Sequence, residues 1–366
     1  MIEYENLRKA NEPFLREYRR RFDAVLRSGW FILGEEVAAF EQEFARYCGV
    51  QHCVGLGNGL EALHLGLRAL RLPAGSEVIV PSNTYIATIL AVLQAGLVPV
   101  AVEPDIRTYN IDPRRMEERL TKRTSAVMIV HLYGKMCDME PIVGICRDKG
   151  LRLIEDCAQA HGAAYKGRRA GSFGDIGAFS FYPTKNLGCL GDGGAVVTGN
   201  EELAARIRTL RNYGSRVKYH NELPGYNSRL DEVQAAFLRV KLRHLDRINS
   251  RKRDLAAEYR ARLAPGYIQP IEEKDFFDVY HIFNVRHRER DRLRAFLLER
   301  GVKTEIHYPI SPNRQPAMMG ILDEACPVSE EIHATTVSLP ISFFHSPGDI
   351  AIICELLNEF RENERS

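Results

Sequence analysis

Apolar residues in the first two thirds of the chain follow two alternating patterns. Short, mainly apolar runs occur at residues 77–80, 98–102, 125–130 and 151–155. Segments with apolar residues at helical spacing lie near 36–47, 59–70, 84–94, 113–120 and 138–149. The short runs are too apolar for strands with one solvent-facing side, so they indicate a parallel sheet that helices cover on both faces. This alternation predicts an α/β fold with right-handed crossovers.

The pattern changes near residue 228. A long helical pattern, laced with charges and free of Gly and Pro, runs from Ser228 to Leu263. A strand candidate (280–286) and two helix candidates (290–300 and 348–361) follow it. The length of 366 residues suits two or three domains at about 150 residues each. We therefore predict a large domain over 1–245, with a mostly parallel central sheet, and a smaller C-terminal α/β domain over 246–366.

Composition and charge exclude several classes of protein. Apolar residues make up 45% and charged residues 27%, and the net charge is only +2, so a disordered chain and a nucleic-acid-binding protein that relies on a basic field are both excluded. The most apolar stretch, Tyr85–Val102, is interrupted by Gln94, Gly96 and Pro99. We interpret it as a buried helix, a turn and a core strand, and we expect no membrane partner.

The eight cysteines argue against a zinc site. None forms a Cys-x-x-Cys pair, no His stands at finger spacing from them, and the chain opens with MIEYENLRKA, which lacks the apolar core of a signal peptide. We expect buried thiols in a reducing cytoplasm, and no bound metal.

Polar residues that follow the apolar runs are the candidates for chemistry, because ligands of open parallel sheets bind beyond the carboxyl ends of the strands. Asp156 closes the run LRLIED, and Gln159 and His161 follow within one turn. A carboxylate at this place could hold a proton on a heterocyclic nitrogen. It could equally be a helix N-cap, and His161 could equally be a core histidine.

Lys185 lies between the aromatic run that ends at Ser180 and a glycine-rich stretch. Most lysines are solvated surface charges, but this setting is a poor one for a surface charge. A partly buried lysine loses its proton readily, and its neutral amine can form a Schiff base.

Two further segments complete the candidate site. The segment GLGNGLEAL lacks the dinucleotide fingerprint, but the amides of Gly59 and Leu60 at the start of a helix could cradle a phosphate; tight packing would explain the glycines equally well. Tyr85 could stack on a flat ring or belong to the core. A Schiff-base lysine, a carboxylate, a phosphate cradle and a stacking aromatic are together what pyridoxal 5'-phosphate (PLP) requires.

Long motifs give the chain a family resemblance. They are SGWFILGEEVAAFEQEFARYCG (28–49), GNGLEAL (57–63), VPSNTYIAT (80–88), HLYG (131–134), EDCAQAHGA (155–163), AFSFYPTKNLGCLGDGGAV (178–196), RNYGSRVKY (211–219), NSRLDEVQAA (227–236) and TEIHYP (304–309). In these motifs the chain resembles the DegT/StrS-type sugar aminotransferases, which have the PLP-dependent transferase fold of the aspartate-aminotransferase type (fold type I).

The resemblance implies roles at the matching positions. Lys185 would carry the cofactor, Asp156 would pair with its ring nitrogen, Gln159 would lie near its phenolic oxygen and Tyr85 would stack on its ring. The phosphate would be held by Gly59, Leu60, Ser180 and, from a partner subunit, Asn227. Many relatives have Ser-Gly-Thr where this chain has Asn58-Gly59-Leu60, so backbone amides would have to serve in place of the threonine hydroxyl.

The implied function is transfer of an amino group from L-glutamate, through pyridoxamine 5'-phosphate, to C3 of a dTDP-3-keto-6-deoxyhexose. A homodimer with shared active sites is expected. The candidate substrate contacts are Tyr182, Arg216, Lys218, Tyr219, His307 and Tyr308. Amination at C4 of a nucleotide 4-keto sugar is the alternative within the family, and a non-catalytic PLP-binding regulator is the alternative outside it. Since the chain carries no DNA-binding appendage, the regulator is disfavoured.

Overall fold

Fourteen strands and thirteen α-helices form the protein in a computed structural model that describes residues 1–365, with side chains for residues 1–361. The strands are β1 (His52–Leu56), β2 (Glu77–Pro81), β3 (Val98–Val102), β4 (Thr124–Val130), β5 (Arg152–Asp156), β6 (Ala164–Tyr165), β7 (Arg168–Arg169), β8 (Ile176–Ser180), β9 (Gly194–Thr198), β10 (Ser215–Val217), β11 (His220–Asn221), β12 (Phe276–Phe277), β13 (Phe283–Arg286) and β14 (Thr336–Leu339).

The helices alternate with the strands of the first half and then dominate the C-terminal part. They are α1 (Leu7–Asn11), α2 (Leu15–Ser28), α3 (Glu35–Cys48), α4 (Gly59–Leu70), α5 (Ala87–Gln94), α6 (Pro113–Glu118), α7 (Met139–Lys149), α8 (Glu201–Leu210), α9 (Glu232–Leu242), α10 (Leu245–Arg262), α11 (Arg290–Glu299), α12 (Pro327–Thr335) and α13 (Pro347–Arg365).

The central sheet has seven strands in the order β1-β9-β8-β5-β4-β2-β3. The neighbours from β8 to β3 pair in parallel, whereas β9 pairs antiparallel with both β8 and β1. The sheet is therefore parallel except for one reversed strand, which confirms the predicted α/β fold with a mostly parallel sheet.

Both faces of this sheet are buried, as the apolar runs predict. Along β4, Val127 and Ile129 belong to one apolar cluster while Ala126 and Met128 belong to another. This alternation follows from the two-residue period of a strand. Helices α3 and α9 supply side chains to the first cluster, and α4, α5 and α8 to the second, so each face of the sheet has its own helical layer.

A third apolar cluster lies beyond the sheet, and its buried members all fall between Leu255 and Phe360. It contains the antiparallel pair β13–β14 and faces of α10, α11 and α13. The strand predicted over 280–286 begins only at Phe283, because Tyr280 has a left-handed backbone (φ 43°) that a strand does not accommodate. The separate cluster supports a domain division near residue 245, which we retain as a proposal.

The continuous helix predicted over Ser228–Leu263 is wrong, because the structure divides it into α9 and α10. His244, between them, has φ −111° and ψ 0°, and its N–H donates to the Lys241 carbonyl in a tighter turn. The physical reason is packing: α9 lies against α2 and α3 beside the sheet, whereas α10 lies against α13 in the third cluster. One straight helix cannot cover both surfaces.

Two further expectations concern apolar and sulfur-containing residues. The stretch Tyr85–Val102 contains α5, a turn and β3, as predicted, and in residues 1–365 we find no helix with the length and apolar character of a membrane span. All eight cysteines are buried free thiols, and burial raises the pKa of each of them.

Candidate active site

The candidate site lies at the edge of the sheet where the parallel strands have their carboxyl ends. Asp156 is the last residue of β5 and Ser180 the last residue of β8, and these strands are neighbours. Tyr85 follows β2 after a short turn. The strand-end rule therefore brings three residues that are far apart in sequence to one edge of the sheet.

Asp156 is almost completely buried, with 6% of its surface exposed. Its carboxylate accepts hydrogen bonds from the Ala158 amide (3.1 Å) and from the Thr88 hydroxyl (2.9 Å). Burial raises the pKa of Asp156, while these two donors and the Lys185 amine favour the charged form. The result is a fixed carboxylate that is short of solvent and suited to pair with a cationic ring nitrogen.

Lys185 lies in the turn after β8, where its amide donates to the Tyr182 carbonyl (2.8 Å). Its Nζ is 3.3 Å from Nε2 of His281. Burial lowers the pKa of Lys185 to about 8, and the Asp156 carboxylate only partly offsets this effect. At pH 7, one unit below this pKa, about a tenth of the side chain is therefore a neutral, nucleophilic amine, far more than for a solvated lysine.

Gln159 connects the strand end to two tyrosines. Its Oε1 accepts a hydrogen bond from the Tyr133 amide (2.6 Å), and its Nε2 donates to the Tyr308 hydroxyl (2.9 Å). The ring of Tyr308 lies 5.1 Å from that of Tyr85, tilted by 35°. Gln159, Tyr85 and Tyr308 thus form one side of the site, and His307 adjoins it through the bond that its carbonyl accepts from the Tyr133 hydroxyl.

The start of α4 is the candidate phosphate cradle, and it lies beside the end of β8. The Asn58 side chain accepts from the Glu61 amide (2.9 Å) and caps the helix, so Gly59 and Leu60 begin it. A Cβ on Gly59 would lie 2.6 Å from Cβ of Ser180, and only glycine therefore lets the helix start approach the end of β8. Backbone amides next to a serine hydroxyl are suitable donors for a phosphate.

These residues together fit PLP. They supply a reactive amine, a buried carboxylate, an aromatic ring and a phosphate cradle at the same edge of the sheet. The positions come from β2, β5, β8 and α4, which are all held by the central core.

The other candidate substrate residues lie elsewhere. Arg216, Lys218 and Tyr219 belong to the β10–β11 hairpin, where Arg216 pairs with Glu222 (3.3 Å) and Tyr219 is 85% exposed. Among residues 1–361, no hydrogen bond or ion pair joins this hairpin to Lys185 or Asp156. Asn227 is likewise exposed, and Tyr182 is half-exposed three residues before Lys185.

A cluster of His131, Glu155 and Cys157 lies beneath the site and has the residue types of a metal centre. The Glu155 carboxylate, however, accepts from the amides of Gly171, Phe173 and Gly174 (2.7–2.9 Å). His131 accepts from the Cys137 amide on Nδ1 (3.1 Å), so its Nε2–H faces Glu155 at 3.0 Å. These bonds fix the loop between β7 and β8 and account for the cluster without an ion.

The structure also decides the alternatives for His161. It is fully buried, and its ring lies against Phe179 and Phe181. Burial lowers its pKa to about 3, so it is a neutral histidine within the core.

Sequence reasoning missed two residues that touch the key groups. Thr88, which bonds Asp156, stands inside the motif VPSNTYIAT, one helical turn after Tyr85, so its position offered a signal. His281, which contacts Lys185, comes from the segment before β13 and had no motif to mark it.

Comparisons with known proteins identify the family of the chain. A sequence model of the DegT/DnrJ/EryC1/StrS aminotransferase family matches residues 15–358. The chain is 51% identical over 361 residues to a dTDP-3-amino-3,6-dideoxy-alpha-D-galactopyranose transaminase of Aneurinibacillus thermoaerophilus, covering 98% of this chain and 99% of that protein. It is 48% identical over 344 residues to a dTDP-3-amino-3,4,6-trideoxy-alpha-D-glucose transaminase of Streptomyces venezuelae, covering 93% and 91%.

A solved structure gives the same result at the level of the fold. DesV of S. venezuelae, in complex with a ketimine intermediate, superposes with a TM-score of 0.95 at 47% identity, and the match covers 97% of each chain. The fold and the family match define a PLP-dependent transferase. More specifically, the chain belongs to the DegT/DnrJ/EryC1/StrS aminotransferase family, which confirms the resemblance predicted from the motifs.

Proposed function

We propose that the protein is a PLP-dependent aminotransferase that moves an amino group from L-glutamate to C3 of a dTDP-3-keto-6-deoxyhexose. The observation that carries amino transfer is the partly neutral Lys185 amine at the same strand-end site as the buried Asp156 carboxylate. The sugar, its nucleotide and C3 follow from the names of relatives that are 51% and 48% identical.

Each residue of the site has a separate role in amino transfer. When bound, PLP supplies a protonated pyridine ring that accepts the electrons left at Cα of the amino donor. Asp156 stabilises the proton on that ring nitrogen, and Thr88 and the Ala158 amide hold the carboxylate in place. Nζ of Lys185, as a neutral amine, would take the proton from Cα of the amino donor as a general base and would then give it up to the cofactor carbon as a general acid. Gln159 fixes Tyr308 and closes one side of the site.

The experiment that tests this function uses the purified protein, L-glutamate and a panel of 3-keto and 4-keto sugar nucleotides, with NMR of the products. We expect a 3-amino-3,6-dideoxy sugar and 2-oxoglutarate. Amination only at C4 would replace the proposed regiochemistry, and the absence of any half-reaction with amino donors would favour a PLP-binding regulator.

We further propose a homodimer in which each active site uses residues of both chains. The support is that Asn227 and the hairpin carrying Arg216, Lys218 and Tyr219 are exposed and make no bond to Lys185 within residues 1–361. Tyr85, and Tyr182 three residues before Lys185, are also more than half exposed. Exposed aromatic side chains of this kind are typical of interaction surfaces.

Complementation tests the shared site. Lys185→Ala and Asn227→Asp are each expected to be inactive, and mixing the two chains under exchange conditions should restore up to one intact site per mixed dimer. Restored activity requires that Asn227 acts across the interface, whereas no recovery in a verified mixed dimer would contradict it.

The free thiols are compatible with our further proposal of a cytoplasmic location.

A further inference from the structure

Helix α10 contacts the residues that adjoin Lys185. Asn249 and Lys252, one turn apart on this helix, are both buried. Nζ of Lys252 donates to Oδ1 of Asn186 (3.0 Å) and to the carbonyl of His281 (3.2 Å). Asn186 is the next residue after Lys185, and Nε2 of His281 is the atom that contacts Nζ of Lys185. Lys252 therefore holds both neighbours of the reactive amine.

Asn186 is fixed from a second direction. Its Nδ2 donates to Oδ1 of Asn249 (2.8 Å) and to the carbonyl of Val279 (3.0 Å), and Asn249 in turn donates to the His161 carbonyl (2.8 Å). Both ends of the Asn186 amide are thus bonded, so the peptide that carries Lys185 has little freedom. A network in which each polar group is satisfied is rigid.

A small cavity of about 20 Å³ lies among these groups, and three lysines line it together with one carboxylic acid. The lysines are Lys185, Lys241 and Lys252, and the acid is Glu5. Lys241 and Lys252 are 3% and 5% exposed, and among residues 1–361 neither forms an ion pair with a carboxylate. Nζ of Lys241 donates only a long bond to the Gly188 carbonyl (3.4 Å). Buried ammonium groups without a paired carboxylate are uncommon, because desolvation costs them free energy.

We propose that Lys252 is a positioning residue for amino transfer, which holds Asn186 and His281 against Lys185 and keeps a second positive charge beside its amine. A neighbouring cation disfavours protonation of a lysine and so increases its neutral, reactive form. The inference rests on the function proposed above, because it adds a neighbouring charge to burial, the main cause of the lowered pKa, as a reason for a neutral Lys185.

The groups around the buried lysines affect the pKa values of these side chains. Burial lowers the pKa of Lys252 to about 8, with Lys241 and Lys185 lowering it further and Glu5 opposing them. Burial also lowers the pKa of Lys241 to about 8. His281, His161 and His307 face the same amines, and burial keeps the pKa of each low, so they add no positive charge. The charged groups that oppose the lysines are Glu5 on the one side and Asp156 on the other.

The first test is a pH titration of the visible absorbance of the holoenzyme in wild type, Lys252→Gln, Lys252→Met and Lys252→Arg. Gln keeps a donor for Asn186 but no charge, whereas Arg keeps the charge. The midpoint is the pH at which half of the absorbance change has occurred. We expect this midpoint to rise by about one pH unit in Lys252→Gln and Lys252→Met, because the neighbouring positive charge is lost. It should stay near the wild-type value in Lys252→Arg. The exposed Lys122→Met serves as the matched control and should not change it.

A second measurement does not depend on bound cofactor or turnover. Competitive acylation of the full-length, cofactor-free protein with acetic anhydride, followed by peptide mapping, gives the titration midpoint of Lys185 itself. We expect about 8 in wild type and a value higher by about one in Lys252→Gln. An unchanged midpoint in folded Lys252→Gln and Lys252→Met overturns the proposal even if keto sugars are aminated. A raised midpoint without any aminotransfer would instead refute the function and leave the charge effect standing.

Discussion

Two regions that supply the candidate residues differ in how they are held. The strand-end cluster of Lys185, Asp156 and Gln159 is buried to a large degree, and each key polar group has a bonded partner within the chain. The β10–β11 hairpin with Arg216 and Tyr219 is exposed, and its bonds are to residues near it in sequence, such as Thr209 of α8, Tyr213 and Glu222. The polar groups of the first region are bonded to distant parts of the same chain, whereas those of the second are bonded only to neighbouring residues.

We infer from this difference that the buried core positions the reactive groups and that an exposed loop supplies the contacts to the sugar substrate. A cofactor site must hold a carboxylate and an amine in fixed positions, which requires a rigid core. A site for a charged nucleotide sugar needs long polar side chains that can be brought to the substrate by a loop. We therefore expect substitutions in the cluster to affect every step and substitutions in the hairpin to affect mainly the sugar.

The largest effect is expected from Lys185→Ala. Because this residue both carries the cofactor and moves the Cα proton, kcat should fall by about 10⁴-fold or more. Measurement of kcat is combined with borohydride reduction and peptide mapping, which should place the pyridoxyl label on Lys185 in wild type. A label on another lysine, or turnover near the wild-type rate, would contradict the assignment.

Asp156→Asn should come next. The amide keeps the size of the side chain but removes the charge that stabilises the ring proton, and kcat should fall by about 10²–10³-fold. The glutamate half-reaction, followed by absorbance, checks this value. The exposed Asp148→Asn is a matched control, and an equal loss in both variants would show that charge at position 156 has no special role.

The pH dependence of cofactor attachment tests the amine directly. Below a pKa of about 8 Lys185 is protonated and cannot attack an aldehyde, so the rate of PLP attachment should rise about tenfold per pH unit up to pH 8 and then level off. Mixing cofactor-free protein with PLP in a stopped-flow spectrometer measures it. A rate that does not change between pH 6 and 8 would be incompatible with an amine of this kind.

The smallest effect is expected in the hairpin. Arg216→Ala should raise KM for the nucleotide sugar by about tenfold, the value of one charge-assisted hydrogen bond, and should alter the glutamate half-reaction far less. Exposed Arg147→Ala is the control. Equal losses in both half-reactions would show that the hairpin and the strand-end cluster act as one unit.

The parts of the site that the sequence predicts are those that follow from the parallel sheet. Asp156, Ser180 and Tyr85 lie just at or beyond the ends of apolar runs, and a general rule places such residues at one edge. Lys185 could be singled out because a glycine-rich stretch follows a strand there. The particular reaction and sugar came from the long motifs, since strand ends alone do not distinguish one PLP enzyme from another.

Three other features of the structure could not be predicted from the pattern of apolar and polar residues. Strand β9 is short and stands directly after the glycine-rich stretch, and its reversed direction depends on pairing with β1 and β8. The break at His244 arises because α9 and α10 pack on different cores. Lys252 lies in a charge-laced helix where a lysine would ordinarily be solvated, and only the fold shows that it is buried beside Asn186.

The burial of all eight thiols has a practical consequence for spectroscopy. Alkylation requires a thiolate that reagents can reach, and these side chains are both protonated and enclosed. A cysteine introduced at the exposed Val217 would therefore react selectively in the otherwise unmodified chain. A fluorophore or spin label attached there would report the distance between hairpins of two associated subunits without prior removal of native sulfur.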